Sequence, residues 1–157
     1  MILFAAGLLM QLGVCELRPC DASDVDERAV ALVEACAVGP HEKPAGRRCL
    51  VEAAILWRLE SRLAWYPPAR GTGCGPLQVI PTRLHNSRIG WTTTPPCAGL
   101  RDPLLGLRWG VVVLRLKARW GSWRARARAY NGSRLRDAYA RRALVWERRI
   151  RGALNDS

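Results

Sequence analysis

Apolar residues recur along this chain in blocks with helical spacing, separated by polar or Gly/Pro-rich stretches. Asp21-Ala22-Ser23-Asp24 offers N-cap chemistry, and Ala29 to Val38 reads as a helix stopped by Gly39-Pro40. After a polar loop from His41 to Arg48, Cys49 to Arg62 is helical again, with Leu50, Ala53, Ala54, Trp57 and Ser61 on one face. Pro67-Pro68 bars any continuation. The pattern then breaks: Gly71, Gly73, Gly75, Pro76, Pro81, Gly90, Pro95, Pro96 and Gly99 punctuate residues 69–101, which read as loops or short strands. Asp102-Pro103 opens the next helix by the N-cap and N1 rule. From Leu104 to Trp120 that helix is apolar nearly all round, as a central buried helix should be. A short segment, Trp123 to Tyr130, leads into an Asn131-Gly132-Ser133 turn. The last helix, Arg134 to about Ala153, carries an apolar stripe at Leu135, Tyr139, Ala143, Trp146, Ile150 and Leu154. The expected fold is mostly α: helices around a central buried one, with a small irregular or β insertion.

At 157 residues, with no repeat or low-complexity linker, the chain suits one domain, taken here as residues 23–157. Residues 1–22 stand apart. Met1 to Val14 has no charged side chain, a length too short to span a bilayer and matching a secretory hydrophobic region. Cleavage after Cys15 or Ala22 and export to the periplasm or cell exterior are the expectation; the alternative is a first helix docked on the domain.

Charge narrows the partners. The 25 basic residues against 13 acidic ones give +12, and 23 of the 25 are Arg. Residues 101–157 hold 15 basic and 4 acidic residues, net +11, leaving the first hundred at +1. Such an excess suits a polyanion: nucleic acid, an anionic membrane or an acidic wall polymer. Six cysteines without a CxxC pair, and only two His, argue against zinc. In an oxidising compartment they allow up to three disulfides, and Cys36 with Cys49, closing a helix–loop–helix, is the first expected pair.

Candidate chemistry surrounds the Gly/Pro-rich insertion. Glu60-Ser61 lies near a helix end, with Trp65 and Tyr66 following. A carboxyl among aromatics is desolvated and keeps its proton to higher pH, as a general acid must. The run Gly71-Thr72-Gly73-Cys74-Gly75-Pro76-Leu77-Gln78 lacks the Lys-Ser/Thr of a phosphate loop and fits a tight turn approaching an extended ligand, with Gln78 as donor and acceptor. Ala129-Tyr130-Asn131-Gly132 brings a phenol and an amide to a helix end.

In this order and spacing, Leu59-Glu60-Ser61, Gly75-Pro76-Leu77-Gln78 and Ala129-Tyr130-Asn131-Gly132 resemble the motifs of the soluble lytic transglycosylase and goose-type lysozyme group. Asp102-Pro103 followed by Gly106 and Gly110 looks like that group's helix before the Tyr-Asn turn. Pro76 and Leu77 depart from the usual Leu and Met, and Ser133 stands in or beside the place of the turn's second Gly. The resemblance, over about residues 28–150, implies a lysozyme-like fold in which the insertion forms one cleft wall. It implies Glu60 as the catalytic acid, and Ser61, Gly75, Leu77, Gln78, Tyr130 and Asn131 as substrate contacts. Tyr130 is expected to bond Glu60 or the substrate's N-acetyl group.

Glycoside cleavage usually needs two carboxyls, yet Ser61 to Arg101 holds no Asp or Glu, and Asp102 is explained by capping. One acid suffices for an N-acetylated sugar if the product is a 1,6-anhydro end. The resemblance therefore implies a lytic transglycosylase acting on peptidoglycan as a monomer, without metal or cofactor. The Arg-rich C-terminal third would hold it on anionic envelope polymers. Goose-type hydrolysis is the alternative reaction. Rivals of another class are a basic nucleic-acid-binding helical domain, with Trp120, Trp123 and Trp146 interleaved among arginines, and a catalytically silent wall-binding module; no recognised nucleic-acid motif accompanies those tryptophans.

Overall fold

A computed structural model describes residues 1–16, 21–37, 46–67, 72–81, 83–86, 90–117, 121–131 and 135–155. Expectations for Cys20, Val38 to Pro40, residues 41–45 of the His41–Arg48 loop, Pro68, Gly71, Trp120, Gly132, Ser133 and Arg134 fall outside these residues. The described chain is mostly helical: α1 (Ile2–Gln11), α2 (Ala22–Ala37), α3 (Arg47–Ser61), a hairpin of β1 (Arg83–Asn86) and β2 (Gly90–Thr93), a single turn α4 (Cys97–Leu100), α5 (Pro103–Leu116), α6 (Trp123–Asn131) and α7 (Arg136–Asn155).

Two predicted starts form through the expected chemistry. Asp21 Oδ1 accepts from the Asp24 N–H at 2.9 Å and from Ser23 Oγ at 2.6 Å, so α2 begins seven residues before its apolar stripe becomes regular. Asp102 Oδ1 accepts from the Leu105 N–H at 2.7 Å, with Pro103 at N1 of α5.

The central helix is not the expected one. It is α3, in which Glu52, Ala53, Ala54, Ile55, Leu56 and Trp57 are buried in succession. Ala53 and Ala54 are small and leave room on two adjoining sides, and α3 packs against α1, α2, α5 and α7. In α5, Gly106, Leu107, Gly110, Val111 and Leu114 are buried, while Arg108, Val112, Val113 and Leu116 are only partly covered. Its apolar circumference serves two surfaces, the core and a wall left open.

Inside the core, α3 keeps one charge. Glu52 takes a forked pair of bonds from Arg126 on α6, and a 2.9 Å bond from Arg48 one turn away. Arg126, 4% exposed, also donates to the Gly121 carbonyl, so its fork ties α6 to α3 and to the loop between α5 and α6. Arg28 is likewise buried, joined to Asp24 at 3.0 Å and set over the rings of Trp65 and Trp57.

Cys36–Cys49 is present as expected, linking the end of α2 to the start of α3. A second bridge, Cys74–Cys97, ties the Gly-rich loop to α4 and encloses the hairpin between its ends. The hairpin is antiparallel with Arg83 opposite Thr93 and Asn86 opposite Gly90, so the insertion is partly β. At the N-terminus, α1 is docked: Ala5, Leu8, Leu9 and Leu12 are buried against α2, α3 and α7. Among the described residues no helix is long and apolar enough to cross a membrane.

Candidate functional site

The site begins where α3 ends. Arg62 and Leu63 both take left-handed backbone, φ 54° and 61°, without being glycine. The Arg62 N–H donates to Arg58 O at 3.1 Å and the Leu63 N–H to Trp57 O at 3.3 Å, closing the helix, and Leu63 is buried under the turn. Trp57 Nε1 donates to Ala64 O at 3.0 Å and pins the chain beyond it. The helix thus stops five residues before Pro67, and the stop presents Glu60, half-buried, at a fixed corner.

Opposite stands the Gly-rich loop. Cys74 and Val79 pair as an isolated antiparallel bridge, with N–H···O distances of 3.0 and 2.9 Å in the two directions. The four residues between turn back on themselves. Gly75 has φ 71°, and a side chain there would meet the Leu100 carbonyl at 1.9 Å. Gln78 has φ 48°, and its Nε2 donates to Gly75 O at 2.9 Å. Leu77 points inward and is fully buried; a Cβ at position 110 would stand 2.2 Å from its Cδ1. A Cβ at position 106 would stand 2.7 Å from Pro76 Cδ. Gly106 and Gly110, one turn apart on α5, are therefore the seat on which Pro76 and Leu77 rest.

The third wall comes from α6. Tyr130 Oη donates to Leu77 O at 2.9 Å and so braces the loop; its proton goes there and not to Glu60, the first of the two partners expected for it. Asn131 follows at the end of α6.

These elements enclose a cleft of about 290 Å³ lined by Glu60, Thr72, Gly73, Gln78, Val79, Ile80, Val113, Lys117, Tyr130 and Asn131. Of the expected site residues, Glu60, Gln78, Tyr130 and Asn131 meet there. Ser61, Gly75 and Leu77 do not line it. Ser61 is buried with its hydroxyl donating to Trp57 O at 3.3 Å, as a helix-end serine turned to the core does. Gly75 and Leu77 stand behind the wall and shape it, for the packing reasons above.

Tyr139 of α7 was expected only as part of an apolar stripe. It is 2% exposed, and its hydroxyl has no partner at full hydrogen-bond geometry. Burial first, then the Glu60 charge and Glu60 as an acceptor at less than ideal geometry, push its phenol well above the usual range; the phenol of Tyr130 raises it further and Arg142 opposes. Tyr130 is pushed up too, by burial and then by Glu60. Both phenols stay protonated donors beside the carboxyl. A Tyr in a stripe of Leu, Ala and Ile was the available signal, since a buried phenol needs somewhere to direct its O–H. Lys117 and Val113 carried no such mark, because reading residues 104–120 as a buried helix gave them no open side.

Glu60 is the one carboxylate on the cleft and Lys117 the one cation, among the described residues. Nor does any group of three or more His, Cys, Asp or Glu converge among them to hold a metal. The arrangement can hold a proton at a half-buried carboxyl, stabilise the resulting carboxylate through a phenol, and grip an extended chain through Gln78, Asn131 and the backbone of Gly73. Compared with known protein families, with curated proteins and with solved structures, the chain finds no match.

Proposed function

We propose that this protein is a peptidoglycan lytic transglycosylase of lysozyme-like fold, cutting the bond from N-acetylmuramic acid to N-acetylglucosamine with Glu60 as its single acid and base. The observation that carries this reading is convergence. Residues from three motifs far apart in sequence, Glu60, Gln78 and the Tyr130-Asn131 pair, line one cleft in which no second carboxylate is found among the described residues.

Glu60 protonates the glycosidic oxygen as the C1–O bond breaks. The N-acetyl oxygen of the same sugar stabilises the oxocarbenium ion, and the hydroxyl of Tyr139 stabilises the new carboxylate. Glu60 then takes the proton from the sugar's 6-hydroxyl as that oxygen closes on C1. The product is a 1,6-anhydro end, and Glu60 is left protonated for the next cycle. No water is consumed, which suits a site with no second carboxylate among its described residues to activate one.

Two further observations support the reading. The bridges Cys36–Cys49 and Cys74–Cys97 suit an oxidising compartment, where this substrate lies, and export there is part of the proposal. The stacking role a nucleic-acid binder would ask of its tryptophans is poorly served, since Trp123 is buried and Trp146 is already covered by Arg58 and Arg149.

Digestion of purified sacculi followed by mass spectrometry of the products tests the proposal. Anhydro ends are expected, and Glu60→Gln should lower turnover at least about 100-fold with the fold intact by circular dichroism. Reducing ends would make the reaction hydrolysis, and undiminished activity of Glu60→Gln would remove the assignment altogether. Binding to sacculi without cleavage by the native chain would leave a silent wall-binding module.

A further inference from the structure

Lys117 is one of two lysines in a chain with twenty-three arginines, and at the end of α5 it is one of the residues that line the cleft. Val79, Ile80 and Val113 give the same cleft an apolar part of its lining. Among the described residues it makes no ion pair, whereas Arg28, Arg48, Arg108, Arg126, Arg128 and Arg151 each have a carboxylate. With Glu60 protonated, as the first step requires, Lys117 is the one charged group among the described residues of the cleft. A ligand closing over an apolar wall strips water from that ammonium, and the loss is offset only if the ligand brings an anion to it.

We infer that Lys117 selects glycan strands whose muramic residue carries a free lactyl carboxylate, meaning strands already stripped of their stem peptides. The inference rests on the function proposed above and deepens it. The lactyl carboxylate is the ionisable group attached directly to the sugar whose bond is cut, so it enters a cleft of this size with the ring. Carboxylates of a stem peptide lie several bonds further out. Where a stem is attached, the lactyl carbonyl is a neutral amide and leaves Lys117 without its counter-ion. The reaction that supplies this substrate is then hydrolysis of the amide joining the lactyl group to the peptide.

The experiment compares purified strands with and without stem peptides as substrates of the native chain, Lys117→Met and Lys117→Arg, with kcat and KM determined separately. The native chain is expected to prefer denuded strands by about tenfold or more in kcat/KM, the size of a charge-assisted hydrogen bond, chiefly through KM. Lys117→Met should bring the ratio to about one, and Lys117→Arg should restore much of it. A lysine that merely caps α5 would move stability and leave the ratio where it was. Equal use of both strands by the native chain, or a preference surviving in Lys117→Met, overturns the inference. If neither strand is cleaved, the proposed function fails on its own, and retention by Glu60→Gln decides the point about Lys117. Retention of denuded strands over stem-bearing ones, lost in Glu60→Gln/Lys117→Met, upholds selection; equal retention overturns it.

Discussion

Two phenols, Tyr130 and Tyr139, stand beside the half-buried Glu60 carboxyl, and these surroundings set how tightly each phenol holds its proton. Both phenols are raised by burial and by the nearby carboxylate, so each binds its proton more tightly in the folded chain than in the unfolded one. A group raised on folding contributes stability that is present below its unfolded pKa, about 10 for tyrosine, and lost as pH rises beyond it. Stability is therefore expected to hold up to about pH 10 and to fall above it, with the ionisation of these two phenols tracking unfolding. Absorbance at the tyrosinate band, followed together with circular dichroism across pH 9–12, checks this. Titration of the two buried phenols in a chain still folded would contradict it.

The elements are joined to the site by packing that is specific at single positions. Gly106 and Gly110 turn one stripe of α5 into a socket for Pro76 and Leu77, and Tyr130 then reaches Leu77 O from α6. The position of α6 itself depends on Arg126, forked onto Glu52 in the core of α3. Removing one partner of a buried pair leaves the other desolvated without compensation, at a cost of about 3–5 kcal/mol. Arg126→Met should fall toward the lower end, since Arg48 still holds Glu52 at 2.9 Å. The double substitution Arg126→Met/Glu52→Leu should recover most of the loss, because two apolar side chains can fill the same space. Urea denaturation of the single and double variants measures both. A double variant no more stable than Arg126→Met would show that the pair itself, and not relief of a stranded charge, holds α6 in place.

Across the whole molecule, charge and chemistry are segregated. The cleft holds one carboxylate and one ammonium among its described residues, while Arg124, Arg128, Arg136, Arg141, Arg142, Arg148, Arg149 and Arg151 are exposed along α6 and α7. A field of this kind raises the encounter rate with an anionic surface and is screened within about 8 Å at physiological salt. Activity on intact sacculi is expected to fall steeply as salt is raised from about 0.05 to 0.5 M, while activity on short soluble glycans changes much less. Initial rates on both substrates across that range provide the check. Parallel loss on both would assign the salt effect to the cleft and not to the arginine surface.

What could be read from the sequence was whatever rests on local chemistry. The capping aspartates Asp21 and Asp102, the Pro103 start of α5, the Cys36–Cys49 bridge and the Gly-rich loop around Gly75 each depend on a few neighbouring residues, and each formed. The mostly helical character followed from the same periodicity. Which helix is central was misassigned, because apolar residues all round α5 do not reveal whether a surface meets the core or the cleft. The small Ala53-Ala54 pair of α3, which lets four helices approach, is recognisable only once those helices are there. Within the site, Glu60, Gln78, Tyr130 and Asn131 carried functional groups at turns and helix ends, where they stood out. Ser61 and Leu77 stood at such positions too, and folding turned both inward, since rotation about a helix end or loop depends on what packs beneath. Tyr139 and Lys117 lie 79 and 57 residues from Glu60, inside patterns that read as core. That Tyr139 comes beside that carboxyl and Lys117 onto the same cleft follows from how α5 and α7 stack against α3, which tertiary packing alone decides.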